Sequence, residues 1–182
     1  EHERVDDPPF ADAVRAGEAR ERAAGAAVHD EVVVAVPRVR ARRRRRVVRL
    51  AAVGVRGVLR AAGAVDAVYA QNVLLRRGLP ATMPIYFACD VDATEAQQEI
   101  VDDYLRACAR VVGIDRTGVY AGYWVIDRCY RNGTATWLWQ TYAWSGGRLH
   151  PAVHLYQYDN YDNTINGTDV DLNRAYQVNY GQ

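Results

Sequence analysis

The chain has 182 residues, 23 arginines, 22 acidic residues and a formal net charge of +1. That is enough for one domain with a real core, and too little net charge to define a nucleic-acid binder. No apolar run is long enough to span a bilayer, and the charged N-terminus carries no apolar h-region of a signal peptide. The three cysteines, Cys89, Cys108 and Cys129, are too few for a disulfide framework and have no CxxC spacing. They are read as small buried apolar residues.

The even balance conceals two unlike halves. Residues 1–80 carry +6 and residues 81–182 carry −5; all four tryptophans lie in the second half. The first half is mostly Ala, Val, Arg and Gly around the run "ARRRRRVVRL". Three readings apply to it: a basic arm for anionic surfaces, a solvated helical face, or a GC-rich gene read in a shifted frame. The first lacks aromatic residues for base stacking. The third is favoured, because arginine without lysine is what GC-only codons encode. On this reading residues 1–65 are an atypical segment that packs poorly, and the domain proper covers 66–182. Within the segment only "EVVVAV" reads as a short strand.

From Asp66 the pattern becomes regular. "DAVYAQNVLLRRGLP" reads as a helix ended by Gly78 and Pro80. "MPIYFACD" is a strand apolar on both faces, as in a covered parallel sheet. "TEAQ" is a capping box, with Thr94 as N-cap and Gln97 three residues on. The helix behind it carries an apolar stripe from Ile100 to Val112 and stops at Gly113. "TGVYAGYW" is the next strand and turn, and "VIDRCYRNG" a short helix closed by Asn132 and Gly133. "ATWLWQTYAW" and "AVHLYQYDN" are two more strands. The order β-α-β-α-β-β fits an α/β barrel or a doubly wound sheet.

Asp90 and Asp92 stand one residue apart at the end of the first of these strands. Residues i and i+2 share a strand face, roughly 6.6 Å apart. Two carboxylates there can divide labour, one ionised and one held protonated, which is the equipment for cleaving a glycosidic bond. They can equally begin a loop and cap backbone amides. Later strands end in aromatic and amide groups, among them Tyr120, Trp124, Trp139, Gln140, Trp144 and Gln157. Such groups stack on sugar rings and bond their hydroxyls, or fill a core. "TDVDLN" repeats the i, i+2 spacing with Asp169 and Asp171. His150 and His154 lack a third ligand of clear spacing, so no metal site is assigned.

"LPATMPIYFACDVDAT", "GVYAGYWVIDRCY", "WLWQTYAWSGG", "LYQYDN" and "VDLNRAY" occur in this order over about residues 66–182. Together they resemble the bacterial glycoside-hydrolase-like domain of unknown function, itself similar to the lysozyme-type glycoside hydrolases of family twenty-five. The resemblance implies a TIM-type (β/α) barrel in a secreted or cell-envelope protein, acting as a monomer on peptidoglycan-like glycan without a cofactor. It implies that Asp90 stabilises the cation formed by the substrate's own N-acetyl group and that Asp92 is the general acid. Asp171, Tyr120 and Gln157 would line the pocket, with Trp124 as a further substrate-binding residue. A non-catalytic glycan-binding protein on the same barrel is the alternative.

Two departures from the pattern stand out. Asp92 replaces a glutamate, which withdraws the carboxyl by on the order of 1.5 Å. The Gly-(Phe/Val)-Asp motif of the family's first strand is not found in residues 1–80. The barrel is therefore expected to be incomplete in its N-terminal half, and the chain as it stands to hydrolyse little.

Overall fold

The computed structural model describes residues 33–37 and 55–181. Strand β1 (Val33–Pro37) is followed by helix α1 (Val55–Arg76), β2 (Ile85–Ala88), α2 (Glu95–Val112) and β3 (Thr117–Ala121). Then come α3 (Tyr123–Asn132), β4 (Trp137–Thr141), β5 (Leu155–Asp159), β6 (Thr164–Ile165) and β7 (Thr168–Ala175). Local chemistry sets the boundaries. Gln97 Oε1 accepts the backbone N–H of Thr94 at 2.9 Å, which fixes the start of α2. Gly133 takes the left-handed conformation after α3, and its N–H bonds back to the last turn. Of residues 1–65, the arginine run and everything else outside 33–37 and 55–65 lie beyond the described residues.

The sheet runs β1-β7-β5-β4-β3-β2, with β6 paired to β7. β2, β3, β4 and β5 are parallel. β7 lies antiparallel to β5, and β1 antiparallel to β7. This overturns the TIM-type barrel expected from the sequence: the sheet is mixed, and three helices accompany it among the described residues. The reason is the connection after β5. A parallel return needs a crossover of a dozen or more residues. Here β6 leads straight into a two-residue turn, Asn166–Gly167, both with positive φ, and β7 comes back antiparallel. The strand expected within "EVVVAV" is present as β1, but it joins beyond β7, at the opposite edge from β2.

One face of the sheet carries the core. Phe87, Val119, Ala121 and Leu138 point at Leu105 and Cys108 of α2 and at Val125, Ile126 and Cys129 of α3. The three cysteines are free thiols, and burial pushes Cys89 and Cys129 up to about 11 and Cys108 to about 12. α1 begins at Val55, well before the regular pattern at Asp66. It lies on α2 through small residues: Gly63 and Ala67 are buried, and Cys108 Sγ bonds the carbonyl of Gly63 at 3.3 Å. Arg60 adds an ion pair to Asp103 at 3.1 Å. Arg60 and Gly63 thus hold the start of the described part of α1 against α2.

Candidate functional site

The other face of the sheet is aromatic and polar. Tyr86, Tyr120 and Trp139 meet edge to face, with ring centroids 5.7 Å and 5.0 Å apart. Gly118 makes this possible, since a Cβ there would stand 2.7 Å from the Tyr86 ring. The Trp139 indole N–H donates to Asn173 Oδ1 at 2.7 Å, and the Tyr86 hydroxyl to the carbonyl of Tyr180 at 2.8 Å.

Towards the C-terminal ends of the parallel strands this layer becomes a hydrogen-bonded chain. Gln157 is buried, and its Oε1 accepts the hydroxyls of Tyr120 at 2.7 Å and of Thr141 at 2.8 Å. Its amide donates to Asp171 Oδ2 at 3.0 Å. Asp171 arrives on β7, whose antiparallel course sets its N-terminal half beside the C-terminal end of β5.

Asp90 approaches from the other side. Cys89 N–H donates to the carbonyl of Tyr120 at 2.8 Å, so the β2–β3 pairing runs one residue past β2 and releases Asp90 beside Tyr120. Burial raises the Tyr120 phenol above its ordinary range. The bond with Thr141 opposes this, and the carboxylates of Asp90 and Asp171 push it further up. Both carboxylates therefore act on one phenol. Asp92 does not: it is exposed in the loop after Asp90. That loop is pinned from below. The Arg128 guanidinium donates to the carbonyl of Ala93, and its Nε donates to Gln98 Oε1 at 2.8 Å.

Trp124 stands apart from Tyr120, Gln157 and Asp171. It opens α3 on the helix-bearing side, edge to face with Tyr123 at 5.1 Å and under the Arg148 guanidinium. Gln140 is likewise a core residue, with its amide bonded to Ser145 and to the carbonyl of Arg148. Thr141 and Arg128 were missed as site residues. Thr141 was legible as the next residue on the Trp139 strand face, whereas nothing in the local sequence marks Arg128. His150 and His154 serve structure: Tyr130 packs on the first and Trp137 on the second. Among the described residues no group of three or more His, Cys, Asp or Glu could hold a metal ion. No helix among them is long and apolar enough to cross a membrane.

A half-open α/β sheet with acidic groups gathered at its strand ends is the form of a glycoside-hydrolase-like domain. The chain belongs to the Rv2525c-like, glycoside hydrolase-like domain family, whose model matches residues 55–175. It is 34% identical over 108 residues to the Mycobacterium tuberculosis protein named "Putative peptidoglycan hydrolase Rv2525c", covering 58% of this chain and 45% of that one. Two crystal structures of the Mycobacterium tuberculosis Tat-secreted protein Rv2525c are similar, each 32% identical. The complex with L-tartrate gives a TM-score of 0.65 over 67% of this chain and 61% of that chain. The complex with HEPES gives 0.63 over 67% and 60%. The chain thus spans less than two thirds of the length of these relatives.

Proposed function

We propose that this chain supplies the glycan-recognising part of a cell-wall hydrolase-like domain, with Asp90 and Asp92 as the acidic pair of a muramidase-type cleavage. The observation that carries the reading is the meeting of Asp90 and Asp171 on the Tyr120 phenol, held by Gln157. A pyranose at this point would find an aromatic wall, a fixed amide and two carboxylates for its hydroxyls. Asp92 would protonate the leaving oxygen, and Asp90 would stabilise the cation that the substrate's N-acetyl group helps to form. No cofactor enters this chemistry. Because the relative is Tat-secreted, the proposed place of action is the cell envelope or beyond it.

A second reading, glycan binding without turnover, is favoured by one observation. Asp90 and Asp92 are both exposed, and Asp92 lies in the loop outside the Tyr120–Gln157–Asp171 chain. One experiment separates the two: release of reducing sugar from purified cell walls by the wild-type chain, Asp92→Asn and Asp90→Asn. Turnover that falls about a hundredfold or more in Asp92→Asn, with binding kept, supports hydrolysis. Binding with no turnover in any of the three supports the second reading. Neither binding nor turnover by the wild-type chain sinks both.

A further inference from the structure

A second aromatic surface lies at the same end of the sheet, on the helix side. Three aromatic side chains are left open there: Trp124 is 46% exposed, Trp144 42% and Tyr130 55%. The segment that carries Trp144 is built to hold it in place. Trp144 has φ +58°, a left-handed conformation that bulky residues avoid. Two residues on, Gly146 and Gly147 have φ of 56° and 70°, so the chain uses glycine where it only needs the turn. A bulky indole kept in such a position is a candidate for function.

The segment is also fixed to the start of α3. A Cβ on Gly122 would stand 3.1 Å from the carbonyl of Ala143 and 3.2 Å from Trp144 Cβ, so glycine lets the two backbones touch. Ser145, fully buried, accepts the N–H of Tyr123 at 3.0 Å and donates to the carbonyl of Thr141 at 2.6 Å. Gln140 anchors the far end by donating to the carbonyl of Arg148 at 2.7 Å. The exposed indoles are thus mounted on a rigid base.

A cation sits on Trp124. The Arg148 guanidinium carbon sits 5.1 Å over the Trp124 ring and 5.8 Å over the Tyr123 ring. Among the described residues it has no carboxylate partner. An exposed guanidinium held over an aromatic ring has donors to spare for a bidentate bond to a carboxylate. Open indole faces beside it suit the apolar face of a pyranose.

We infer that Trp124, Trp144 and Arg148 form a second binding site, for a sugar that carries a carboxylate. Resting on the function proposed above, this is a strand whose N-acetylmuramic acid has lost its stem peptide, with the lactyl carboxylate so freed on Arg148 and adjacent rings on the indoles. The site lies on the other side of the sheet from the Tyr120–Gln157–Asp171 chain, so it grips a neighbouring part of the strand and contains no reacting group.

The test is calorimetric titration in an Asp92→Asn background, which removes turnover. The probes are soluble glycan strands freed of peptide and, as the neutral control, chitotriose. Arg148→Gln should weaken binding of the glycan strand by about tenfold or more and leave chitotriose unchanged. Trp144→Asn and Trp124→Ala should weaken both probes. Asn accepts the left-handed conformation, so Trp144→Asn should not lower the melting temperature, and a loss of binding there is a loss of the indole itself. If the Asp92→Asn chain binds strands but all three further variants bind them equally well, this inference fails and the proposed function stands. If it binds neither probe, both fail. Sedimentation showing a dimer that Trp144→Asn splits would mean a second copy covers the patch, and would overturn the inference.

Discussion

Gln157 reaches across to Asp171 on an antiparallel strand and donates to its carboxylate at 3.0 Å, while its oxygen accepts Tyr120 and Thr141. One buried amide thereby fixes the positions of a phenol and a carboxylate. Gln157→Leu keeps the volume but removes the acceptor of two hydroxyls and a donor to Asp171. We expect it to lower unfolding stability by about 2–3 kcal/mol, since a deserted buried polar group costs about 1–3 kcal/mol. Gln157→Glu should also destabilise, by setting a second carboxylate against Asp171. Urea denaturation measures both; a Leu variant as stable as wild type would show that the chain of bonds is not formed.

Gly63 decides between two opposed effects. In a helix interior, Gly→Ala gains about 1 kcal/mol from propensity. At this position a Cβ would stand 2.6 Å from the backbone carbonyl oxygen of Tyr104, which cannot swing away. The overpacking cost of about 1–3 kcal/mol should win. Gly63→Ala should therefore lower the melting temperature, and the exposed Val65→Ala control should leave it nearly unchanged. A rise in Gly63→Ala would show that α1 does not lie this close to α2.

Asp102 is buried and accepts three bonds: from Gln98 at 2.9 Å, from Asn132 at 2.7 Å and from Thr134 at 3.0 Å. It therefore fastens α2 to the end of α3 and to the approach to β4. Asp102→Ala should cost about 3 kcal/mol or more, because hydrogen bonds to a charged acceptor contribute about 1.5–3 kcal/mol each. Hydrogen exchange should show the last turn of α3 opening first. Uniform protection in the variant would contradict this role.

Acidification should destabilise the fold through its histidines. Burial lowers the imidazole of His150 below its ordinary value of 6.5, with Asp127 opposing, and burial lowers that of His154. The unfolded chain then binds protons at a pH where the folded chain does not. Stability from these groups is present above about pH 6.5 and is lost as pH falls below it. His154 also accepts the N–H of Leu138 on its Nδ1 at 3.1 Å, a bond that protonation of that nitrogen abolishes. The urea midpoint should fall between pH 7.5 and pH 5.5, and less so in His154→Gln. Equal slopes in wild type and variant would remove His154 from the account.

What the sequence revealed followed the range of the interactions. The Thr94–Gln97 box and the Gly133 stop act within a few residues, and both stand in the structure where the pattern put them. The parallel strands β2 to β4 were legible from their apolar faces and intervening helices. The direction of β7 resides in its turn and not in its strand pattern. Alternation of side chains is the same in either direction, but Asn166–Gly167 is a hairpin turn written in two letters. In the candidate site, spacing and resemblance single out Asp90 and Asp171, and both carboxylates bear on the Tyr120 phenol. Arg128 could not be found, because its partners, Ala93 and Gln98, are 35 and 30 residues away. Gly63 lies before the regular pattern for a physical reason: small residues leave no apolar period, yet they let two helices approach.

The pairing of β1 with β7 has a consequence for biosynthesis. Val33 aligns with Arg174 and Pro37 with Val170, so among the described strands the earliest to be made is matched to the latest. Every other pairing in the sheet can close before β1 finds its place. Until Thr168–Ala175 has emerged, the sequence Val-Val-Ala-Val has no edge to join, and a hydrophobic strand without a partner invites association with other chains. Slow translation between the two strands lengthens that exposure. Nascent chains halted before Thr168 should accordingly be the ones that chaperones hold.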